Sequence, residues 1–223
     1  MTRLKMKFGI MALAIAGALG IAATATATSV TYDFSHNIGG NTSYTGTEFT
    51  VTVSDLGNSL ASFVFHNHGP ASSAITGIYF YGSAVDGSTA SIDHSDTTGY
   101  FPNNAGAPAN LAGGIPYGLS SPSFYSKAQG INGIRGGQSL TITMELTGTF
   151  ADLISAIDSG LDITKKNKFS AGDFAIGLHV QGLPGSDQYL MGTETEMSVI
   201  PLPAPVWMGL TGLLAVVVIR RRR

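Results

Sequence analysis

The chain contains no cysteine among its 223 residues. This absence excludes disulfides, thiolate metal ligands, a lipoprotein anchor and a cysteine nucleophile. The sequence also lacks a Gly-x-Ser-x-Gly elbow around any serine, and no phosphate-binding glycine loop follows a strand and opens a helix. We therefore predict a protein that is not an enzyme and that holds no cofactor or metal. A secreted hydrolase whose site has no recognised motif stays as an alternative.

Basic residues are missing from most of the chain. All fourteen acidic residues lie between Asp33 and Glu196, whereas only five of the twelve basic residues lie within 28–198, so this body has a formal charge of −9. Nucleic acid is excluded as a partner, because neutralising its phosphates requires the opposite sign of charge. The composition is compatible with a soluble extracellular protein, and with cation-bridged contact to acidic polysaccharide.

The first 27 residues have the three parts of a secretory signal peptide. Three basic residues precede an apolar segment at 8–23, and Ala25 and Ala27 end two overlapping small-x-small cleavage sites. The alternative is an N-terminal anchor that is not cleaved. The signal peptide predicts that the acidic body is exported.

The last residues form a second targeting segment, in which three prolines precede an uncharged apolar run at 206–219. The prolines predict an extended, accessible backbone before the apolar run. At ~1.5 Å per residue this run reaches only about 21 Å as a helix, so it spans the ~30 Å bilayer core only with thinning or help from its flanks. By the positive-inside rule, the cationic stop that follows should stay cytoplasmic: Arg220, Arg221, Arg222 and Arg223.

This tail resembles a PEP-CTERM sorting domain, in the variant whose signature reads Val-Pro-Leu-Pro-Ala. Ile200 stands in the place of the valine, and the other positions match at Pro201, Leu202, Pro203 and Ala204. The resemblance implies that an exosortase reads the signal; exosortases are membrane-embedded, cysteine transpeptidase-like enzymes of Gram-negative bacteria. It also implies an association with exopolysaccharide and biofilm. An ordinary C-terminal membrane anchor is the alternative.

Between the two targeting segments, apolar and polar residues alternate with a period of two. The clearest alternating segments are 30–35, 49–53, 140–146 and 174–181, and shorter ones lie at 62–66, 75–81, 90–94 and 189–194. One helix is predicted at 151–159, with Thr149 as its N-cap and Gly160 as its end. We predict an all-β fold, an antiparallel, jelly-roll-like β-sandwich with one short helix, plus an N-terminal signal helix and a C-terminal transmembrane helix.

Residues 97–137 are rich in proline, glycine and asparagine, which predicts mostly loop. Aromatic side chains in such a loop stack on sugar rings if they are exposed, or hold the loop on the sheet if they are buried. The candidate sugar contacts are Tyr100, Tyr117, Phe124 and Tyr125. A carbohydrate-binding module that uses the loop 100–125 is therefore a second functional alternative.

Two short patterns offer metal ligands. His66 and His68 lie on one side of an extended segment at a spacing that suits zinc or copper, with a third ligand among Asp93, His94 and Asp96. Glycine turns at 86–88 and 158–162 offer carboxylate oxygens to calcium, but neither has complete calcium-loop spacing. We predict a polar strand end for the histidines and no metal site.

The segment 174–187 resembles the last part of other proteins that carry this sorting signal. In those proteins a strand ends in a His-Val-Gln-like turn that precedes Gly, Ser and Asp, which implies a shared architecture and no known chemistry. His179 and Gln181 fall on the polar face of this strand. Their spacing suits a ligand or a metal, but a solvated strand face is the simpler interpretation.

The sequence thus predicts a signal peptide at 1–27, a passenger domain at 28–198 and a sorting signal at 199–223. We expect an exported protein that is first anchored in the inner membrane and then reaches the cell surface or the extracellular space. The expected role is structural or adhesive and not enzymatic. The expected partners are an exosortase-type processing enzyme, the inner membrane and exopolysaccharide.

Overall fold

A computed structural model describes residues 26–39, 45–99, 101, 111, 115–119, 122–128, 133–161, 168–183 and 185–201. The described residues form one α-helix, α1 (Phe150–Leu161), a short 3-10 turn (Ile115–Tyr117) and twelve strands. The strands are β1 (Thr26–Asp33), β2 (His36–Gly39), β3 (Phe49–Gly57), β4 (Leu60–Asn67), β5 (Ala74–Tyr81), β6 (Val85–Asp93), β7 (Phe124–Lys127), β8 (Ile134–Arg135), β9 (Ser139–Leu146), β10 (Ala175–Leu183), β11 (Gly185–Leu190) and β12 (Glu194–Pro201).

The strands form two sheets. The first sheet has the order β12-β1-β3-β4-β9-β6, and the second has the order β2-β11-β10-β5-β7 with β8 also beside β5. Every described strand pair is antiparallel, which confirms the predicted all-β, antiparallel fold with one helix. Strands from the two ends of the described chain meet in both sheets, because β1 pairs with β12 and β2 pairs with β11.

Side chains from both sheets share one hydrophobic core. In β3, Phe49, Val51 and Val53 are fully buried while the residues between them are half-buried, as expected because neighbouring side chains on a strand point to opposite faces. The rings of Phe63 on β4 and Phe80 on β5 meet edge to face with their centroids 5.2 Å apart. This aromatic contact joins the first sheet to the second.

The helix α1 starts at the predicted cap. The hydroxyl of Thr149 accepts a hydrogen bond from the backbone N–H of Asp152 at 3.1 Å, and the Asp152 carboxylate accepts one from the N–H of Thr149 at 2.9 Å. This reciprocal pair is a capping box with aspartate in the usual place of glutamate. The predicted helix end is wrong, since the helix continues through Gly160 to Leu161. Gly160 is needed there for another reason, because a β-carbon would overlap the carbonyl oxygen of Phe174.

The segment 97–137, predicted to be mostly loop, contains two short strands that the prediction missed. Strand β7 lies inside this segment and pairs with β5, and β8 pairs with the start of β5. The predicted strand at 189–194 is also wrong, since β11 ends at Leu190 and β12 begins at Glu194. In both cases strand partners distant in the chain, which local periodicity does not register, set the strand limits.

No helix among the described residues is long and apolar enough to cross a membrane. The predicted signal helix and the predicted transmembrane helix lie outside the residues that the structure describes.

Candidate functional site

The strand pair β1–β12 brings the two predicted processing points together. Thr26 lies opposite Pro201 and Ala27 lies opposite Ile200, so both strands continue past the predicted body limits of 28 and 198. The predicted extended backbone is present at Ile200 and Pro201. β12 is the edge strand of the first sheet, a place where a proline is tolerated because no N–H is needed for pairing. Several residues predicted to act in processing lie outside the described chain: Ala25, Leu202, Pro203, Ala204, Arg220, Arg221, Arg222 and Arg223.

The start of β12 is fixed by one carboxylate that the sequence analysis did not identify. Asp33 is only 6% exposed, and its Oδ1 accepts hydrogen bonds from the Ser35 N–H at 3.1 Å, the Ser35 hydroxyl at 2.6 Å and the Thr193 N–H at 3.0 Å. Backbone bonds also run from Asp33 N–H to the Thr193 carbonyl and from Gly192 N–H to the Asp33 carbonyl. The Asp-x-Ser pattern, typical of a turn in which aspartate accepts from the backbone two residues on, was the available signal.

Of the predicted sugar contacts, Phe124 belongs to the hydrophobic core. It is 1% exposed and its ring meets Phe80 edge to face at 5.6 Å. It therefore has no free face for a sugar, and its prediction as a sugar contact is corrected: a strand, and not an exposed loop, presents this ring to the core. Tyr125 is 6% exposed and packs 4.6 Å from Tyr79, and Tyr100 lies outside the described residues.

Tyr125 belongs to a second hydrophobic cluster, on the side of the second sheet away from the shared core. Loop residues Leu111 and Leu119 are part of this cluster, and the hydroxyl of Tyr81 accepts a hydrogen bond from the Leu111 N–H at 3.3 Å. Burial raises the pKa of Tyr79 and Tyr81 well above the usual range. These contacts support the alternative interpretation, in which loop aromatics hold the loop on the sheet.

Tyr117 is the most accessible of the described candidates. It is half-buried, and its carbonyl accepts a hydrogen bond from the Phe169 N–H at 2.7 Å. Its ring contacts the His36 ring edge to face at 6.0 Å, and burial lowers the pKa of His36. The structure thus separates Tyr117 from Phe124, which faces the core on the other side of the second sheet.

The two histidines weighed as metal ligands do lie side by side. The rings of His66 and His68 stack with centroids 5.5 Å apart and planes 16° from parallel. Burial, and then repulsion from His68, lower the pKa of His66, while Asp96 opposes this change. His94 is engaged elsewhere, since its Nε2 lies 3.0 Å from the Phe101 N–H and 2.9 Å from the Phe101 carbonyl oxygen. Within the described ranges, no group of three or more His, Cys, Asp or Glu residues could hold a metal ion.

The carboxylates considered for calcium have other partners or positions. Asp86 accepts hydrogen bonds from the N–H and hydroxyl of Ser88 at 2.9 and 2.7 Å, which lower the pKa of this exposed carboxyl. Asp93, which was weighed as a third ligand to zinc or copper, likewise accepts a hydrogen bond from the Ser95 N–H at 2.9 Å. Asp158 lies in α1 and not in a loop, and Asp162 falls outside the described residues.

His179 lies on the outer side of the second sheet, as the alternation predicts. Its Nδ1 is 3.1 Å from the Thr76 hydroxyl, and burial is the main cause that lowers its pKa. Gln181 is half-buried two residues further along β10. The Thr76 hydroxyl is therefore a hydrogen-bonding partner of the His179 ring, in a structural contact between β5 and β10.

The outward side of the first sheet is lined by hydroxyl groups that align across strands. One row joins Thr31, Thr52, Val64 and Thr141, and the next joins Ser54, Ser62 and Thr143. Neighbouring strands lie about 4.8 Å apart, and successive residues on one face lie about 6.8 Å apart. We call this surface the hydroxyl face, and its half-buried members are Thr31, Thr50, Thr52, Ser54, Thr141 and Thr143.

The hydroxyl groups of this face can both donate and accept hydrogen bonds. Thr31 and Thr52 are already joined through their hydroxyl oxygens at 2.9 Å, and each oxygen keeps a second lone pair for an outside donor. A regular array of this kind matches a ligand with repeating hydroxyl groups.

Comparisons of the chain with family models, curated proteins and solved structures found no match. The interpretation of function therefore depends on the sequence segments and on the geometry described above.

Proposed function

We propose that this protein is exported and sorted at the inner membrane, and that an exosortase-type enzyme cleaves its C-terminus. The mature protein then has a non-enzymatic structural or adhesive role in the exopolysaccharide at the cell surface or outside the cell. One observation carries the proposal: the strand pair β1–β12 begins and ends at the predicted processing points.

The limits of the folded unit support this proposal. One compact unit covers Thr26–Leu202, so cleavage after Ala25 and after Leu202 or Pro203 would leave both strands of the pair complete. Cleavage after Ala27 would instead remove the partners of Ile200 and Pro201. We therefore expect the signal peptide to be removed after Ala25.

The position of β12 also supports C-terminal processing. An edge strand has one neighbour, so its end can separate from the sheet with the loss of a single row of backbone hydrogen bonds. In the proposed precursor, the apolar run at 206–219 holds the chain in the inner membrane and Arg220 to Arg223 stay cytoplasmic. Removal of this tail releases the acidic body on the outer side.

The proposed fold is a jelly-roll-like β-sandwich. It is supported by the shared core of the two sheets, and by the pairing of early strands with late ones, β1 with β12 and β2 with β11. Such a fold presents one broad outer face of the first sheet, which is the hydroxyl face. We propose that this face makes many weak contacts to polysaccharide, which suits a matrix component.

Mass spectrometry of the mature protein tests the sorting step. We expect an N-terminus at Thr26 and loss of the tail from Pro203 or Ala204 onward. Pro203→Ala, inside the signature, should leave the tail in place, whereas Pro205→Ala, just outside it, should be processed normally. An intact Arg223 in the mature wild-type protein would refute sorting and indicate a permanent anchor.

Retention on the producing organism's exopolysaccharide tests the adhesive role. The double variant Thr52→Val and Thr141→Val keeps side-chain shape and strand propensity but removes two central hydroxyls. We expect its retention to fall several-fold, while Thr98→Val, an exposed change in the loop after β6, should bind like the wild type. Equal retention of the double variant and the wild type would argue against the hydroxyl face.

A further inference from the structure

A groove of about 580 Å³ lies between α1 and the first residues of β1. Val30, which is 1% exposed, lies on its sheet wall, and Phe150 and Ile154 lie on its helix wall. The volume is within the range of about 300 to 1,000 Å³ that is usual for small-molecule sites. The groove therefore combines an apolar interior with room for a ring-sized ligand.

Two carboxylates approach this groove from opposite walls. Asp55 belongs to β3 and Asp158 belongs to α1, and the hydroxyl-bearing Ser155 lies one turn before Asp158. None of the described residues that line the groove is basic. The Asp158 side chain is exposed, but the surrounding protein removes part of the water from its carboxyl and raises its pKa. A cation in the groove would stabilise the ionised form of this carboxyl, which the loss of water disfavours.

Tyr32 is a buried polar residue on the same strand as Val30, although it is not among the described residues that line the groove. It follows Val30 by two residues on the same face of β1, is fully buried, and its hydroxyl has no hydrogen-bond partner in the described structure. Burial is the main cause that raises its pKa, and the next largest is the charge of Asp158. An unpaired buried hydroxyl is unfavourable, and the charge of Asp158, which lines the groove, acts on this one.

The groove is longer than one small ligand requires. A second hollow of about 240 Å³ shares Asp55, Thr149 and Phe150 with it, so Phe150 lies between the two spaces. Phe150 is half-buried, and an aromatic face between two hollows is suited to the apolar face of a sugar ring. This arrangement fits a chain of linked rings better than a compact cation.

We propose that this groove binds an amino-sugar unit of a polysaccharide, with its ammonium group between Asp55 and Asp158 and its ring against Phe150. The inference rests on the proposed function, which places the body among extracellular polysaccharides. An anionic sugar would be repelled by the two carboxylates, and a neutral sugar would leave both of them without a counter-charge. The ammonium group satisfies both carboxylates at once.

Calorimetric titration of the full chain with a glucosamine oligosaccharide tests this assignment. The chain is kept in a polyoxyethylene detergent, because sugar-headed detergents would compete for the groove. At about pH 6 we expect binding that weakens as salt rises. Asp158→Asn and Asp55→Asn should each raise Kd about tenfold or more, the size expected for one charge-assisted hydrogen bond. Asp55→Asn keeps the oxygen that accepts from the Gly57 N–H at 2.8 Å.

The matched control is Asp93→Asn, which changes an exposed carboxylate at the end of β6. Asp93 lies opposite Thr141 of β9 and is not among the described residues that line the groove. This substitution should leave Kd unchanged, whereas Phe150→Leu should weaken binding of the oligosaccharide. Equal affinity for the N-acetylated oligosaccharide or for spermidine would overturn the assignment. So would an unchanged Kd in Asp158→Asn. These outcomes leave the processed termini found by mass spectrometry unaffected, so failure of this inference is distinguishable from failure of the proposed function.

Discussion

Replacing Asp33 with alanine tests how the last strand of the protein is held in place. The Asp33 carboxylate is nearly inaccessible and accepts three hydrogen bonds. Two come from Ser35, which is exposed, so water can replace them in the variant. The third comes from Thr193, 160 residues away in the chain, and fixes the turn that leads into β12. Only this third bond joins distant segments.

The expected loss of stability follows from that division. A hydrogen bond to a charged group contributes about 1.5–3 kcal/mol, and the two local bonds to Ser35 add little once water replaces them. We therefore expect Asp33→Ala to lower the free energy of unfolding by about 2–3 kcal/mol. This is a large share of the ~5–15 kcal/mol that is typical of a domain. Asp33→Asn, which keeps one acceptor oxygen, should cost about half as much.

Urea denaturation and amide hydrogen exchange measure the two parts of this effect. In Asp33→Ala, the amides of β12 should exchange much faster than those of β4, because β12 is an edge strand that has lost its anchor. Asp86→Ala is the matched control, since Asp86 has the same Asp-x-Ser bonds to Ser88 but is exposed. Equal effects of the two substitutions, or normal protection of β12 in Asp33→Ala, would refute the anchoring role.

Three further perturbations test the fold. Gly160→Ala should destabilise the protein by about 2–3 kcal/mol in thermal unfolding, because the new methyl overlaps the Phe174 carbonyl; an unchanged Tm would contradict the close contact. Phe124→Ala should lower the free energy of unfolding by about 3–5 kcal/mol, because it truncates a core side chain. A change near zero would indicate that Phe124 lies at the surface. Burial lowers the pKa values of His66 and His179 below the ordinary value of 6.5, so the unfolded state binds more protons and stability should fall as pH decreases through about 6.5. Urea midpoints at pH 7.5 and 5.5 measure this loss, which a double replacement by glutamine should reduce; equal midpoints for the wild type would contradict it.

The fold class was predictable because alternation is a local property of the sequence. Phe49, Val51 and Val53 are buried on one face of β3 as their spacing predicts, and Thr149 caps α1 as its residue type predicts. Strand partners are not local, so neither the pairing of β1 with β12 nor the limits of β11 followed from periodicity. Gly160 is also explained by a contact distant in the chain, because a β-carbon there would overlap the Phe174 carbonyl oxygen. The sequence pattern instead suggested the end of the helix.

The candidate sites were harder to predict than the strands. Phe124 was assigned to a loop because nearby prolines and glycines outweighed a four-residue strand, and a strand this short has little periodicity to detect. The Asp33 anchor had a local signal in its Asp-x-Ser pattern, but the carboxylate of Asp86, which has the same pattern, accepts hydrogen bonds from the nearby Ser88. The groove beside Phe150 has no sequence signal, because its walls come from β1, β3 and α1.

An edge strand that is processed, as we propose for β12, has to be stable in the folded body and yet open at the point of cutting. The strand β12 meets both needs through the different chemistry of its two ends. At its start, the bond from Thr193 to Asp33 ties the chain to β1. At its end, Pro201 pairs with Thr26, the first residue of β1, so no further pair of this ladder lies beyond it. Fraying should therefore begin at Pro201, which is the end that the proposed processing enzyme has to reach.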